Sequence, residues 1–135
     1  MSYGDILGIV HEMQSFIGFR VQNIYDIAST EFLLKLRDPV LKQYRYIIIK
    51  SGYYIYETSK PPTNRRTMPS GVVMTLRKYT SNKRISGISI IQNDRIIKID
   101  CGEQDTKYTI IIELYGKGNI LLLHDNIVIT TLTTY

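Results

Sequence analysis

Five runs rich in Ile, Leu, Val, Thr and Tyr follow one another near the C-terminus: RISGISIIQ (84–92), RIIKID (95–100), KYTIIIEL (107–114), NILLLH (119–124) and IVITTL (127–132). The breaks between them are Asn93-Asp94, Gly102, Gly116-Lys117-Gly118 and Asp125-Asn126, residue types that favour turns. Each run is shorter than a typical helix and rich in aliphatic residues, most of them β-branched outside 119–124, so the stretch predicts five successive strands joined by short turns. Upstream, Tyr44 to Lys50 and Tyr53 to Thr58 flank Ser51-Gly52 and predict a hairpin. Phe19 to Tyr25 and Glu31 to Arg37 add two strands, the second alternating Phe32, Leu34 and Leu36 against Glu31, Leu33 and Lys35, and Pro39 closes the pair.

Two segments have helical spacing. Ile6, Val10, Met13 and Ile17 form one apolar stripe behind Ser2-Tyr3-Gly4-Asp5, a capping-box pattern, and Gly18 marks its end. The second helix has Pro69 in its first turn, a buried face of Val72, Val73, Leu76 and Tyr79, and an end near Ser81-Asn82. Between them Lys60 to Met68 is a loop, because Pro61-Pro62 excludes regular structure. The chain of 135 residues has no internal repeat or linker, which predicts one domain. The fold class expected is α+β: a mostly antiparallel β-sandwich or flattened barrel of about nine strands, flanked by two helices that cover one edge or face.

Charge is unevenly placed. Lys60, Arg65, Arg66, Arg77, Lys78, Lys83 and Arg84 lie within 25 residues that hold no acid, so this segment carries +7 and the remainder −2 of the net +5. Such a field attracts polyanions, nucleic acid first among them; a solvated basic loop and helix face, with Arg77 and Lys78 complementing the helix dipole, is the plainer reading. No apolar run approaches the roughly 20 residues of a membrane span, and the start of the chain lacks the basic region of a signal peptide. The single Cys101 predicts a reducing, cytoplasmic setting, and His11 and His124 are too few for a zinc site, so no metal and no cofactor are expected.

Catalysis lacks its parts: there is no phosphate loop, nucleophile elbow or histidine pair on a helix. Asp94 with Asp100, or Asp5 with Glu12, could act as acid and base, but turns and helix faces carry such pairs routinely, and the expectation is a protein that is not an enzyme. In the run 95–100, Arg95 shares parity with Ile97 and Ile99 and so points toward the apolar side, where it needs an acid such as Asp5. Spacing alone favours the plainer readings: a turn served by Asp94, Arg95 snorkelling off the sheet edge, and Asp5 as a capping residue alone.

Several segments, in this order, carry a family likeness: GFRVQNIY (18–25), FLLKL (32–36), Pro69-Ser70-Gly71 with Leu76-Arg77-Lys78, Asp94-Arg95-Ile96, and Glu113-Leu114 with GNILL (118–122). Over essentially its whole length the chain resembles the N-terminal domain of the NFACT proteins, the family of NEMF, Caliban and the bacterial fibronectin-binding A proteins. The resemblance implies a fold similar to the N-terminal domain of formamidopyrimidine-DNA glycosylases, without their chemistry, since no proline precedes Pro39 to act as an N-terminal nucleophile. It also implies work in ribosome-associated quality control. Members bind the large ribosomal subunit carrying peptidyl-tRNA, recruit tRNA, and promote template-free C-terminal tailing of stalled nascent chains; in eukaryotes a ubiquitin ligase is a further partner. The family's helix-one acid and Asp-Arg pair fall on Asp5, Asp94 and Arg95, which the resemblance implies contact tRNA. Full-length members continue into a helical hairpin, a coiled coil and RNA-binding segments, so this chain is expected to be a fragment or a reduced member. A phosphate-contacting patch of Arg65, Arg66, Arg77, Lys78, Lys83 and Arg84 rests on charge. The alternative is a protein-interaction module that uses the Tyr-rich strands or a sheet edge.

Overall fold

The structure, a computed structural model, describes residues 1–91 and 94–133. Gln92 and Asn93, at the end of one predicted strand and in the turn after it, lie outside the described residues. The chain begins with α1 (Tyr3–Met13), capped by the reciprocal Ser2–Asp5 box. Strands β1 (Arg20–Ala28), β2 (Glu31–Asp38), β3 (Gln43–Lys50) and β4 (Tyr54–Thr58) form an antiparallel four-stranded meander. Helix α2 (Gly71–Thr80) leads to a second meander of β5 (Ile85–Ile90), β6 (Ile96–Cys101), β7 (Tyr108–Glu113), β8 (Asn119–His124) and β9 (Ile127–Thr131). The expected α+β sandwich is therefore observed, with strand bounds shifted by at most three residues.

The sheets bury opposed faces. Phe32, Leu34, Leu36, Ile47, Ile49 and Ile55 of the first meet Ile97, Ile99, Ile110, Ile112, Ile120 and Leu122 of the second in one core. The helices stand at the flanks, α1 against β5 and α2 against β1 and β9. Two helix details differ from the sequence expectation. Ile17 is exposed and Phe16 is buried in its place, because the chain tightens into a 3-10 turn at Gln14–Phe16, where positions three apart share a face. Pro69 precedes the N-cap Ser70 instead of occupying the first turn, and Thr80 is buried beside the half-buried Tyr79.

The two sheets touch through their turns. The Gly52 amide donates to the Glu113 carbonyl at 3.0 Å, and Gly118 packs so closely on Ser51 and Gly52 that a Cβ there would overlap their backbone. The Met1 ammonium reaches the Tyr53 carbonyl at 3.3 Å, which brings the start of α1 to this same end of the sandwich. At the opposite end, residues 82–85 bond back to the start of β1: the Val21 amide donates to the Lys83 carbonyl at 3.0 Å and the Ile85 amide to the Phe19 carbonyl at 2.8 Å. The molecule thus has a turn end, holding residues 51–53 and 116–118, and a corner end, holding residues 82–85, Gly102 and Tyr108.

Candidate nucleic-acid interface

Asp5, Asp94 and Arg95 all lie at the turn end and are exposed. Asp5 accepts from the Ser2 amide at 3.0 Å, and the Ser2 hydroxyl accepts from the Asp5 amide at 3.2 Å. The backbone donation from Ser2, followed by its side-chain contact, holds the Asp5 carboxyl below the usual range, so it is ionised at neutral pH. Asp94 donates its amide to the Ile91 carbonyl at 3.0 Å, and the Arg95 carbonyl accepts from the Leu114 amide at 2.8 Å. Arg95 does not turn toward the apolar side, and among the described residues no ion pair joins it to Asp5 or Asp94. The reason is local: β6 begins at Ile96, so Arg95 stands in the preceding bend, where strand alternation does not apply.

The basic segment is fastened by a residue of the first sheet. Asp26, 2% exposed, accepts from the Ser70 amide at 2.7 Å and the Ser70 hydroxyl at 2.9 Å, while its carbonyl accepts from the Arg66 amide at 3.0 Å. A carboxylate at the start of α2 also complements the helix dipole. Arg77 is partly consumed by the fold: its Nε donates to the Ile24 carbonyl at 2.8 Å. Its guanidinium lies 5.4 Å from the Tyr25 ring centroid, and that of Arg65 lies 4.0 Å from it. Farther along, Tyr108 is stacked between Tyr79, at 4.9 Å, and His124, at 4.3 Å, with Lys78 beside Tyr79 and Lys83 beside Tyr108. His124 Nδ1 is 2.9 Å from the Lys107 carbonyl, which can only accept, so Nδ1 carries the proton. Arg66 and Arg84 are exposed.

The six expected cations therefore form a band along one side of the sandwich, not a compact patch. Arg65 and Arg66 border β1, whereas Lys83 and Arg84 sit at the corner end beside Cys101 and Gly102. Strand β6 runs between that end and Arg95, a separation of about 17 Å for its five rises. Among the described residues no group of three or more His, Cys, Asp or Glu side chains could hold a metal ion, and no helix is long and apolar enough to cross a membrane. Asp100 is engaged with the Thr109 hydroxyl at 2.7 Å at the far end of β6 from Asp94, so these two acids do not converge.

The family model describing the NFACT N-terminal and middle domains matches residues 3–135. The chain belongs to the NFACT family. This NFACT chain is 33% identical over 118 residues to the ribosome quality control complex subunit NEMF homolog of Drosophila melanogaster, covering 87% of itself and 12% of that protein. It is 34% identical over 129 residues to ribosome quality control complex subunit 2 of Saccharomyces cerevisiae, covering 90% of itself and 12% of that protein. Among solved structures, the N-terminal domain of fibronectin-binding protein PavA from Streptococcus pneumoniae superposes with a TM-score of 0.83 at 26% identity, over 96% of this chain and 52% of that one. The NFACT chain thus spans a small part of the curated relatives it matches.

Two polar anchors of this NFACT domain escape the sequence reading. Asp26 has the same parity as the inward-facing Ile24, a signal present in the sequence one residue beyond the predicted end of β1. Asn119 is fully buried; its Oδ1 accepts from the amides of Ile120 and Thr133, each at 2.9 Å, and its amide nitrogen donates to the Thr133 carbonyl at 2.8 Å. Its neighbours in sequence give no sign of this clasp, which forms between β8 and the residues after β9.

Proposed function

We propose that this domain is the tRNA-contacting part of a ribosome-associated quality control factor, one that works in the cytoplasm on large ribosomal subunits carrying peptidyl-tRNA. Within such a factor it supports template-free C-terminal tailing by holding tRNA, and in a eukaryotic cell it works beside the ubiquitin ligase of the quality control complex. Its contribution is binding, not bond-making. The observation that carries the reading is the shared position of Asp5, Asp94 and Arg95: exposed, at one end of the sandwich, and not neutralised by one another. Arg95 offers a fork of donors and Asp94 an acceptor, suited to the edges of unstacked bases. Arg65, Arg66, Lys78, Lys83 and Arg84 hold phosphates without reading sequence, with Arg77 as a partly buried member of the set. An RNA that meets both regions runs along the sandwich.

Fluorescence anisotropy with several tRNAs separates these roles. Asp94→Ala or Arg95→Ala should weaken discrimination among tRNAs and leave most of the salt dependence intact. Reversing Lys78 and Lys83 should weaken every tRNA and flatten the salt slope. Equal weakening toward every RNA by Arg95→Ala would count against directed base contact. A second reading, protein docking by strand addition, is favoured by β4, an edge strand of the first sheet that carries the exposed Tyr56. It requires binding that persists at high salt and is lost on changing Tyr53 to Tyr56.

A further inference from the structure

Directly opposed residues in an antiparallel ladder share a face, and like charges placed this way repel. Here β1 opposes Arg20 to Arg37 of β2, and a bridge to the segment before β5 opposes Arg20 to Arg84. The flanking bonds, Val21 amide to Lys83 carbonyl and Ile85 amide to Phe19 carbonyl, make Arg20 and Arg84 a non-hydrogen-bonded pair, the closer of the two ladder spacings. Three arginines thus stand in one row across three neighbouring segments. Among the described residues none of the three is in an ion pair, and Arg20 donates to the Asn82 carbonyl at 2.8 Å. Asp38, next to Arg37, alternates to the inner side, where its Oδ1 accepts from the amides of Val40 at 2.9 Å and Leu41 at 3.1 Å.

The row continues into an aromatic surface. On the outer face of the first sheet, Arg37 opposes Tyr44 and Lys35 opposes Tyr46, with Lys35 Nζ 4.1 Å above the Tyr44 ring. Tyr44 is 45% exposed and Tyr56, farther across the same face, 44%. The carboxylate on this face is Glu31, which accepts from the Tyr54 hydroxyl at 2.8 Å and lies near the turn end, away from the row.

We propose that this face is a further RNA contact, in which Arg37, Arg20 and Arg84 hold a backbone phosphate and Tyr44 stacks an unstacked base beside it. The inference rests on the nucleic-acid reading above and adds residues that the reading lacks: Arg20, Arg37 and Tyr44. A phosphate set among the guanidinium groups turns their mutual repulsion into attraction and can take paired donors from each. A sheet face that interleaves cations with exposed rings suits single-stranded RNA, since every base has a π-face to stack. Charge complementarity selects the occupant: the row is cationic, and the neighbouring Asp38 is buried, engaged by the Val40 and Leu41 amides, and forms no ion pair with it.

The test uses the chain with two labelled RNAs, a tRNA and an unstructured oligouridylate, in two salt concentrations, with a melting curve for each variant. Arg37→Glu sets an acid opposite Arg20, so the fold should melt no lower than wild type. Affinity for both RNAs should nevertheless fall about tenfold, and the salt slope should lose about one unit. Tyr44→Leu should weaken oligouridylate by about fivefold or more with the slope unchanged. Wild-type affinity and slope in Arg37→Glu, or a wild-type chain that binds tRNA and not oligouridylate, would overturn this site while leaving the tRNA reading in place. Unchanged oligouridylate binding in Tyr44→Leu would overturn the stacking contact. A well-folded wild type that binds neither RNA would overturn both.

Discussion

Replacing Gly118 with Ala tests whether the turns of the two sheets are pressed together at the end that carries Asp5, Asp94 and Arg95. Gly118 has φ of +74°, a region where an L-residue costs roughly 1–2 kcal/mol. Its added methyl would also overlap the backbone of Ser51 and Gly52, atoms that cannot rotate aside, and such overpacking costs typically about 1–3 kcal/mol more. The sum is about 2–5 kcal/mol, or a fall in melting temperature of roughly 7–18 °C at the entropy expected for a chain of this size. Gly116 supplies the control. It also has positive φ, +57°, but nothing lies within 4 Å of a Cβ built there, so Gly116→Ala should lose only the conformational part, about 4–7 °C. Thermal unfolding followed by circular dichroism reads both. If the two variants melt at the same temperature, the turns are not in the contact described, and the link between the sheets at this end must be drawn differently.

Other consequences follow from single residues. Asp26→Ala removes the acceptor of the Ser70 amide and hydroxyl from a buried site and should cost about 3 kcal/mol in urea denaturation, with faster proteolysis of residues 60–69; an unchanged midpoint would show that α2 does not depend on this anchor. Burial pushes the Cys101 thiol up to about 12, so alkylation near pH 8 should be slow and limited by opening of the fold, whereas rapid stoichiometric labelling of the native chain would contradict its place in the core. The Glu31 carboxylate, and then burial, raise the Tyr54 hydroxyl from 10.0 to about 12. Because the folded value is the higher one, the stability this adds is complete below about pH 10 and is lost as pH rises toward 12. Tyr54→Phe should remove that alkaline loss and one late-titrating phenol from the ultraviolet titration; an identical titration in the variant would place the late phenol elsewhere.

Most of the architecture could be read from local pattern because each strand is short, alternates or is uniformly apolar, and is bounded by Gly, Asn or Asp. The Asn119–His124 strand matched to the residue for this reason. Where helical geometry tightens, local pattern misleads: Ile17 satisfies a 3.6-residue repeat, but the 3-10 turn rotates Phe16 inward instead. Arg95 stands one residue before β6, where strand parity does not apply, and its exposure agrees with an arginine off the sheet edge. The arginine row was invisible to local pattern altogether. Arg20, Arg37 and Arg84 are far apart in sequence, and only pairing register and the bridge at the corner bring them side by side. The same holds for the Tyr79, Tyr108 and His124 stack, whose members come from α2, β7 and β8. Charge counting found the basic segment but not its shape, because Arg77 is drawn to the Ile24 carbonyl and the rest are strung along the sandwich.

The most direct measurement is tRNA binding by fluorescence anisotropy across a range of salt, for the wild-type chain beside Arg95→Ala, with a melting curve for each. Binding whose log affinity falls with log salt at a slope of roughly −3, as for about four phosphates, is the predicted result. In Arg95→Ala, discrimination among tRNAs should be weakened at an unchanged melting temperature. A well-folded wild type that binds no tRNA, or binds it with a slope near zero, would contradict a tRNA-holding role for this domain.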